Sequence, residues 1–391
     1  MHCNIRLFAD DTCLFLEVEN RNNTADMVNS DLQRIDDWAT QWLINFSAPK
    51  TKVLTVSNKR DAYRNPPLTF KNQHIEEVSS HVYLGLRFSK DLKWQSHIKD
   101  VYTKARKRLN AMLPLKYKLD RYSLQIMYTS FVRSTLDYAS VVWGGTYKSD
   151  FMLLEKIQVD AMRLITGATA RSNRLKLYQE IPFLTIKQRV SNTILTMMFK
   201  IKSGLCPTYL SNLIIVNEQP RYNFRSQSAV VTPFARLETF KRSFIPHAST
   251  LWNNISFDLQ NSGSLEGFKQ LLNIANDCCN TLYYYGERWP AIHHARLRTG
   301  CSKLDCDLFH NLHVTDSPSC QCGYISEDAY HFFFSCPLFT DQRQHLLDSV
   351  MRITLPSLNV LLYGDPALSL EINREVFRAV HKYISTTERF Q

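Results

Sequence analysis

Two stretches of this chain place metal-ligating side chains close together. IRLFADDTCLF (residues 5–15) sets Asp10 and Asp11 side by side between apolar runs. Adjacent carboxylates repel, so enclosing them without a counter-charge is costly. A divalent cation relieves that cost. Hard oxygen ligands suit Mg²⁺, which one or two carboxylates commonly hold together with substrate phosphates. In a two-ion site such carboxylates serve phosphoryl transfer. An exposed Asp-Asp turn is the plainer reading of the same pair, and the residues alone leave both open.

The second stretch, SCQCGYISEDAYHFFFSC (residues 319–336), supplies Cys320, Cys322, His331 and Cys336 in a C-x-C-x8-H-x4-C pattern. Three thiolates and an imidazole suit a closed tetrahedral Zn²⁺ site. The leading pair is spaced more tightly than the usual C-x2-4-C. Gly323, directly after it, allows the turn that would aim both sulfurs at one ion. Unpaired buried thiols are the alternative. Cys301, Cys306, His310 and His313 form a second, less regular set, and Cys3, Cys13, Cys206, Cys278 and Cys279 read as core or surface thiols.

A third feature is charge. Residues 87–121 hold eleven Lys/Arg against three Asp, a surplus of +8 in a chain whose net charge is +11. The KARKRLN run (104–110) carries Lys104, Arg106, Lys107 and Arg108. A basic helix face can neutralise phosphates and release counterions, although a solvated helix surface has the same composition.

The elements that must position these groups follow from periodicity. Residues 5–11 and 12–18 read as two apolar strands joined by a tight acidic turn. A helix follows, with Thr24 as N-cap and Val28, Leu32, Ile35, Trp38, Trp42 and Phe46 at helical spacing. KVLTVS (52–57) and YLGLRF (83–88) read as strands. Three helical stripes come next: Trp94, Ile98, Val101, Ala105, Leu109 and Met112; then Leu124, Met127, Phe131 and Leu136; then Leu154, Ile157, Ala161 and Leu164. INREVFRAVHKYI closes the chain as a helix.

At 391 residues and 44% hydrophobic, the chain can bury sizeable cores in two or three domains. Its charge favours anionic partners. There is no basic start followed by an apolar run of the signal-peptide kind, and no window approaches the roughly 20 apolar residues of a membrane helix. The expectation is an intracellular protein of nucleus or cytoplasm, with no membrane partner and with reduced cysteines.

Five motifs in this order resemble the reverse transcriptases of non-LTR, LINE-like retrotransposons. FADDT (8–12) is similar to their [YF]-A-D-D hairpin. WLINFSAPKTKVLTVS (42–57) resembles the helix end, Asn, Lys-Thr and strand that come next. YLGLRFSKDLKWQSHI (83–98) resembles their primer-gripping hairpin, LDYASVVWGG (136–145) their thumb-region L-x-Y-x4-W-G, and RLRTGCSKLDCDLF (296–309) their Leu-Arg-Thr-Gly-His-Ser element, with Cys301 where His is usual. A C-terminal Cys-Cys-His-Cys element is also similar.

The resemblance implies an α+β fold. Residues 1–90 would be a partial palm of short antiparallel strands, 91–215 a helical thumb, 216–285 a connector and 286–391 a zinc-binding region. It implies that Asp10 and Asp11 hold catalytic Mg²⁺ (or Mn²⁺), that Lys50 sits by the incoming triphosphate, and that the partners are an RNA template and a DNA primer. Lys104, Arg106, Lys107 and Arg108 would contact the duplex backbone. The family also uses a third metal-binding aspartate upstream of its acidic hairpin, and these residues contain none in that position. The expected function is therefore a fragment of an RNA-directed DNA polymerase, inactive without the missing N-terminal half, and its acidic hairpin should show an unpaired edge and exposed apolar faces. The alternative is a non-catalytic nucleic-acid-binding module that keeps thumb and zinc element.

Overall fold

A computed structural model describes residues 1–57, 65–216, 230–273 and 281–391; Cys278 and Cys279 lie outside them. The chain clusters into two compact units, Met1–His97 and Ile98–Gln391. It is mainly helical with a few short strands, an α+β composition.

In the first unit, β1 (Asn4–Phe8) and β2 (Asp11–Phe15) form an antiparallel hairpin in which Phe8 pairs with Asp11. Ala9 and Asp10 are its two-residue turn. Ala9 has φ +50°. Two-residue turns need positive φ to match strand twist, and a side chain held there costs roughly 1 kcal/mol. Among the described residues the two strands pair only with each other. Leu7 and Phe8 are 70% and 62% exposed, so the apolar flanks of the acidic turn are open, and the edges are unpaired.

Helix α1 (Arg21–Gln41) starts at Asn20, whose side chain accepts from the N–H groups of Asn22 and Asn23. The cap is thus Asn20, not Thr24, one turn earlier than expected. Leu32 is buried with Phe70 and Ile75, and Val28, Ile35 and Phe46 pack around them. Trp38 and Trp42 are exposed: Trp42 lies past the end of the helix at Gln41, and Trp38, though within it, is not covered. Asp31, fully buried, accepts from the backbone N–H groups of His2 (2.5 Å) and Cys3 (2.7 Å) and ties the hairpin's first strand to α1.

The remaining strands are short: β3 (Lys52–Val53), β4 (Thr69–Phe70), β5 (Gln73–His74), β6 (Glu76–Glu77), β7 (Ser80–Tyr83) and β8 (Leu86–Ser89). KVLTVS keeps only its first two residues as strand. β3 pairs with β6 in parallel, so not every pair is antiparallel as expected. YLGLRF is a hairpin rather than one strand. Leu84 (φ +47°) and Gly85 (φ +76°) form its turn, the positive-φ pair of a type I′ hairpin.

The second unit takes up most of α2 (Gln95–Met112), where Ile98, Val101, Ala105, Leu109 and Met112 are all buried, as their spacing predicts. In α3 (Arg121–Met127) the expected stripe is displaced. The helix runs into a π-turn, Tyr128–Arg133, and the buried residues are Leu124, Tyr128, Val132 and Leu136, while Phe131 is exposed. A wider turn places every fourth residue on one face. Ala139 (φ +49°) then breaks the helix, and the buried Trp143 donates its indole N–H to the carbonyl of Tyr138 at 3.0 Å. Leu154, Ile157, Ala161 and Leu164 of α4 (Lys148–Thr166) are buried. α5 (Arg174–Glu180), α6 (Ile186–Lys202) and α7 (Phe244–Asn253) follow, then α8 (Arg288–Thr299), α9 (Thr340–Met351) and α10 (Leu370–Thr386).

A buried carboxylate joins three of these helices. Glu180, at the end of α5, accepts from Arg121 of α3 (3.0 Å) and from two nitrogens of Arg298 of α8 (2.5 and 3.0 Å). All three residues are buried. No described helix is long and apolar enough to cross a membrane.

Candidate metal centre and basic face

The four expected zinc ligands come together. Their ligand atoms lie within 4.8 Å of one another, and among the described residues no other group of three or more His, Cys, Asp or Glu is placed to hold a metal ion. Cys320 Sγ and Cys336 Sγ are 3.7 Å apart, and Cys322 Sγ and His331 Nε2 are 3.3 Å apart. Bonds of about 2.3 Å to a tetrahedral zinc would set two sulfurs about 3.8 Å from each other. The donor set and its spacing therefore fit the ion.

Local structure explains the convergence. Gly323 (φ +92°) donates to the carbonyl of Cys320, and the Cys320 N–H donates to the carbonyl of Tyr324, each at 2.9 Å. This turn folds Cys322 back beside Cys320. The other half is a π-turn, His331–Ser335, entered through a bond from the His331 N–H to Asp328 (2.7 Å) and left through one from the Cys336 N–H to the His331 carbonyl (2.8 Å). His331 Nδ1 is 3.1 Å from Ser335 Oγ. Donation there leaves the Nε2 lone pair for the ion. Tyr324 stacks flat on the His331 ring at 4.4 Å. Cys320 and Cys336 belong to the hydrophobic core, with Phe332, Phe333 and Tyr383. Burial, reinforced by hydrogen bonds with the neighbouring thiols, pushes the Cys320 thiol up to about 12, so it keeps its proton until a cation replaces it. Ser335 and Tyr324 were not foreseen. Ser335 stands four residues after His331, the one signal that could have found it.

The second set does not assemble: Cys301, Cys306, His310 and His313 form no metal-holding group among the described residues. None of the described cysteines is in a disulfide.

Asp10 and Asp11 stand exposed at the tip of the first hairpin. They belong to no group of three ligands among the described residues. In the second hairpin of the same unit, partial burial first, then the charges of Cys13 and Asp11, push the Tyr83 hydroxyl upward. Lys50 ends a short 3-10 turn (Ala48–Lys50) and is exposed. No ion pair joins it to either aspartate.

The four basic residues of α2 separate into two kinds. Lys104 and Lys107 are exposed, as is Lys99 one turn earlier, and none of the three enters an ion pair among the described residues. Arg106 pairs with Asp160 at 2.7 Å. Arg108 donates to the carbonyl of Phe131 (2.7 Å) and the hydroxyl of Thr135 (2.6 Å), and lies over the Phe131 ring. Both arginines brace α2 against the rest of its unit.

Comparison with known proteins gives several relatives. The chain is 22% identical over 187 residues to "Probable RNA-directed DNA polymerase from transposon X-element" of Drosophila melanogaster, covering 47% of this chain and 20% of that one. It is 24% identical over 168 residues to "RNA-directed DNA polymerase from mobile element jockey" of Drosophila funebris, covering 42% and 18%. The match to "Retrovirus-related Pol polyprotein from type-1 retrotransposable element R1" of Bradysia coprophila is 21% identical over 353 residues, 86% of this chain and 32% of the relative. The chain thus spans about a fifth to a third of the length of these relatives. No family model matches it, and no solved structure matches it.

Proposed function

We propose, from the premise that the chain's homologues are non-LTR retrotransposon RNA-directed DNA polymerases, that these 391 residues are the part of such a polymerase that carries the acidic hairpin, the thumb and a zinc-organised C-terminal region. Residues 1–90 act as a partial palm, 91–215 as the thumb, 216–285 as a connector and 286–391 as the zinc region. The observation that carries the reading is the hairpin tip: Asp10 in the two-residue turn and Asp11 at the start of β2 are both exposed there, in the motif order of the family.

Divalent ions bound there would carry the phosphates of an incoming nucleotide. The described residues supply only the adjacent pair of carboxylates. A two-ion site needs a further one, and we assign it to a segment outside these residues. The chain's own work at this site is to present two oxygen ligands at a fixed place, with Lys50 as the candidate cation for the triphosphate. Lys99, Lys104 and Lys107 face the template–primer backbone, without base specificity. Cys320, Cys322, His331 and Cys336 would hold Zn²⁺ and, through it, tie the C-terminal core together. The work is done inside the cell, where the zinc thiols stay reduced.

Primer extension tests this. The 391-residue chain alone is expected to give no template-dependent product, and supplying the fingers and upstream palm of a relative in trans is expected to restore it. Robust synthesis by the chain alone would overturn the assignment of the missing carboxylate.

A further inference from the structure

The second unit contains a cavity of about 260 Å³ lined by Tyr117, Trp289, Ile292, His293, Arg296, Lys303 and Phe390 among others. It is a little smaller than the roughly 300–1,000 Å³ of drug-sized ligand sites, which suits one planar ring system with an attached anion. Its wall is a ladder of rings. Trp289 packs on His293 at 4.5 Å, and His293 stacks on Phe390 at 5.0 Å and 20°. His293 is buried, and burial, with Arg296 and Lys303 nearby, lowers its pKa to about 4. At neutral pH the middle ring is therefore uncharged. Trp289 is 38% exposed and ends the ladder towards solvent.

The rim is cationic. Arg296 is anchored by a bond from its Nε to the carbonyl of Gly167 at 2.9 Å, and Lys303 by bonds to the main-chain oxygens of Phe390 at 2.8 Å and Gln391 at 3.0 Å. Gln391 also lines the cavity, and no Asp or Glu does. Aromatic faces for a base, with fixed cations for its phosphate, are the pattern by which proteins hold unpaired nucleotides. A duplex keeps its bases stacked and cannot fill such a cavity.

We propose that this cavity holds one unpaired base of single-stranded nucleic acid, stacked on the Trp289 ladder, with its phosphate at Arg296 and Lys303. The inference rests on the nucleic-acid reading above and extends it to single strands.

The test uses the full chain and a fluorescently labelled oligouridylate, with a duplex of equal length alongside. Trp289→Ala is expected to weaken the single-strand complex roughly tenfold and to leave the duplex complex unchanged. Trp289→Phe, which keeps a ring, should retain most of the affinity, and Lys303→Gln should reduce it while leaving zinc content at the wild-type value. Unchanged single-strand binding in Trp289→Ala overturns the inference, as does an equal loss on both substrates. Quenching of tryptophan fluorescence by free UMP as effectively as by the oligouridylate would also overturn it, since the site would then serve free nucleotides. Reversal of Lys99, Lys104 and Lys107 tests the underlying reading separately. If that reversal weakens duplex binding and Trp289→Ala changes nothing, only the cavity proposal fails.

Discussion

Cys320 and Cys336 are 16 residues apart in the chain, and their sulfurs are 3.7 Å apart in the fold. Both side chains also belong to the C-terminal hydrophobic core. An ion joining them would therefore stabilise the packing of α9 and α10 as well as a local turn. Metal analysis of the purified chain should return about one zinc, and Cys336→Ser should remove it and lower the melting temperature of the C-terminal region. Chelation should do the same to the wild type, because structural zinc binding is folding free energy. A chain that melts identically with and without chelator would speak against the site.

Glu180 carries two guanidiniums in a buried setting. Removing the carboxylate strands both. Glu180→Gln should destabilise the second unit by about 3–5 kcal/mol, read from denaturant unfolding. The pH dependence has a definite sign. Burial opposes ionisation, but Arg298 and Arg121 outweigh it and hold the Glu180 carboxyl below its ordinary value. Its contribution is thus present above the unfolded-state carboxylate pKa and is lost as pH falls through the lower folded value.

His294 and His381 form a buried pair. Their rings meet at 3.2 Å between Nδ1 and Nε2, and His294 Nε2 lies 2.9 Å from the Leu361 carbonyl. Burial first, then Arg298, lowers His381 to about 4, and His294 lies well below the usual range. Both are neutral when folded and titrate near 6.5 when unfolded. Stability should hold above about pH 6.5 and fall as the solution is acidified towards pH 4. His381→Gln should flatten that slope in an acid titration followed by circular dichroism.

On α2, exposure separates two functions that composition merges. Charge reversal of Lys99, Lys104 and Lys107 should weaken duplex binding and lower its salt slope by about one per lost phosphate contact, with little effect on stability. Arg106→Ala and Arg108→Ala should act mainly on stability, since those side chains hold Asp160 and the Phe131 carbonyl. Equal effects of both sets on binding, with none on melting, would contradict the division.

The contrast between these residues marks how far the sequence could be read. Local patterns were legible. The zinc ligands lie in one short stretch with a glycine at the turn, the acidic tip sits between apolar runs, and α2 and α4 bury the faces their periods predict. Elements shaped by distant partners were not. The π-turn moves Phe131 off the buried face. Asn20 caps α1 ahead of Thr24, since two polar residues one turn apart carry the same local signal. The Glu180 cluster joins residues 59 and 118 positions apart, which no local spacing encodes. Arg106 and Arg108 resemble phosphate ligands until Asp160 and Phe131 are seen beside them.

Asp10 and Asp11 are proposed to hold the ions of nucleotidyl transfer. The most direct test of that role is primer extension by the chain complemented in trans with the fingers and upstream palm of a relative, comparing wild type with Asp10→Asn and Asp11→Asn. Template-dependent synthesis is expected in the wild type, with its loss by orders of magnitude in each variant and with zinc content and duplex affinity unchanged. Synthesis at the wild-type rate with both carboxylates replaced by amides would contradict that role.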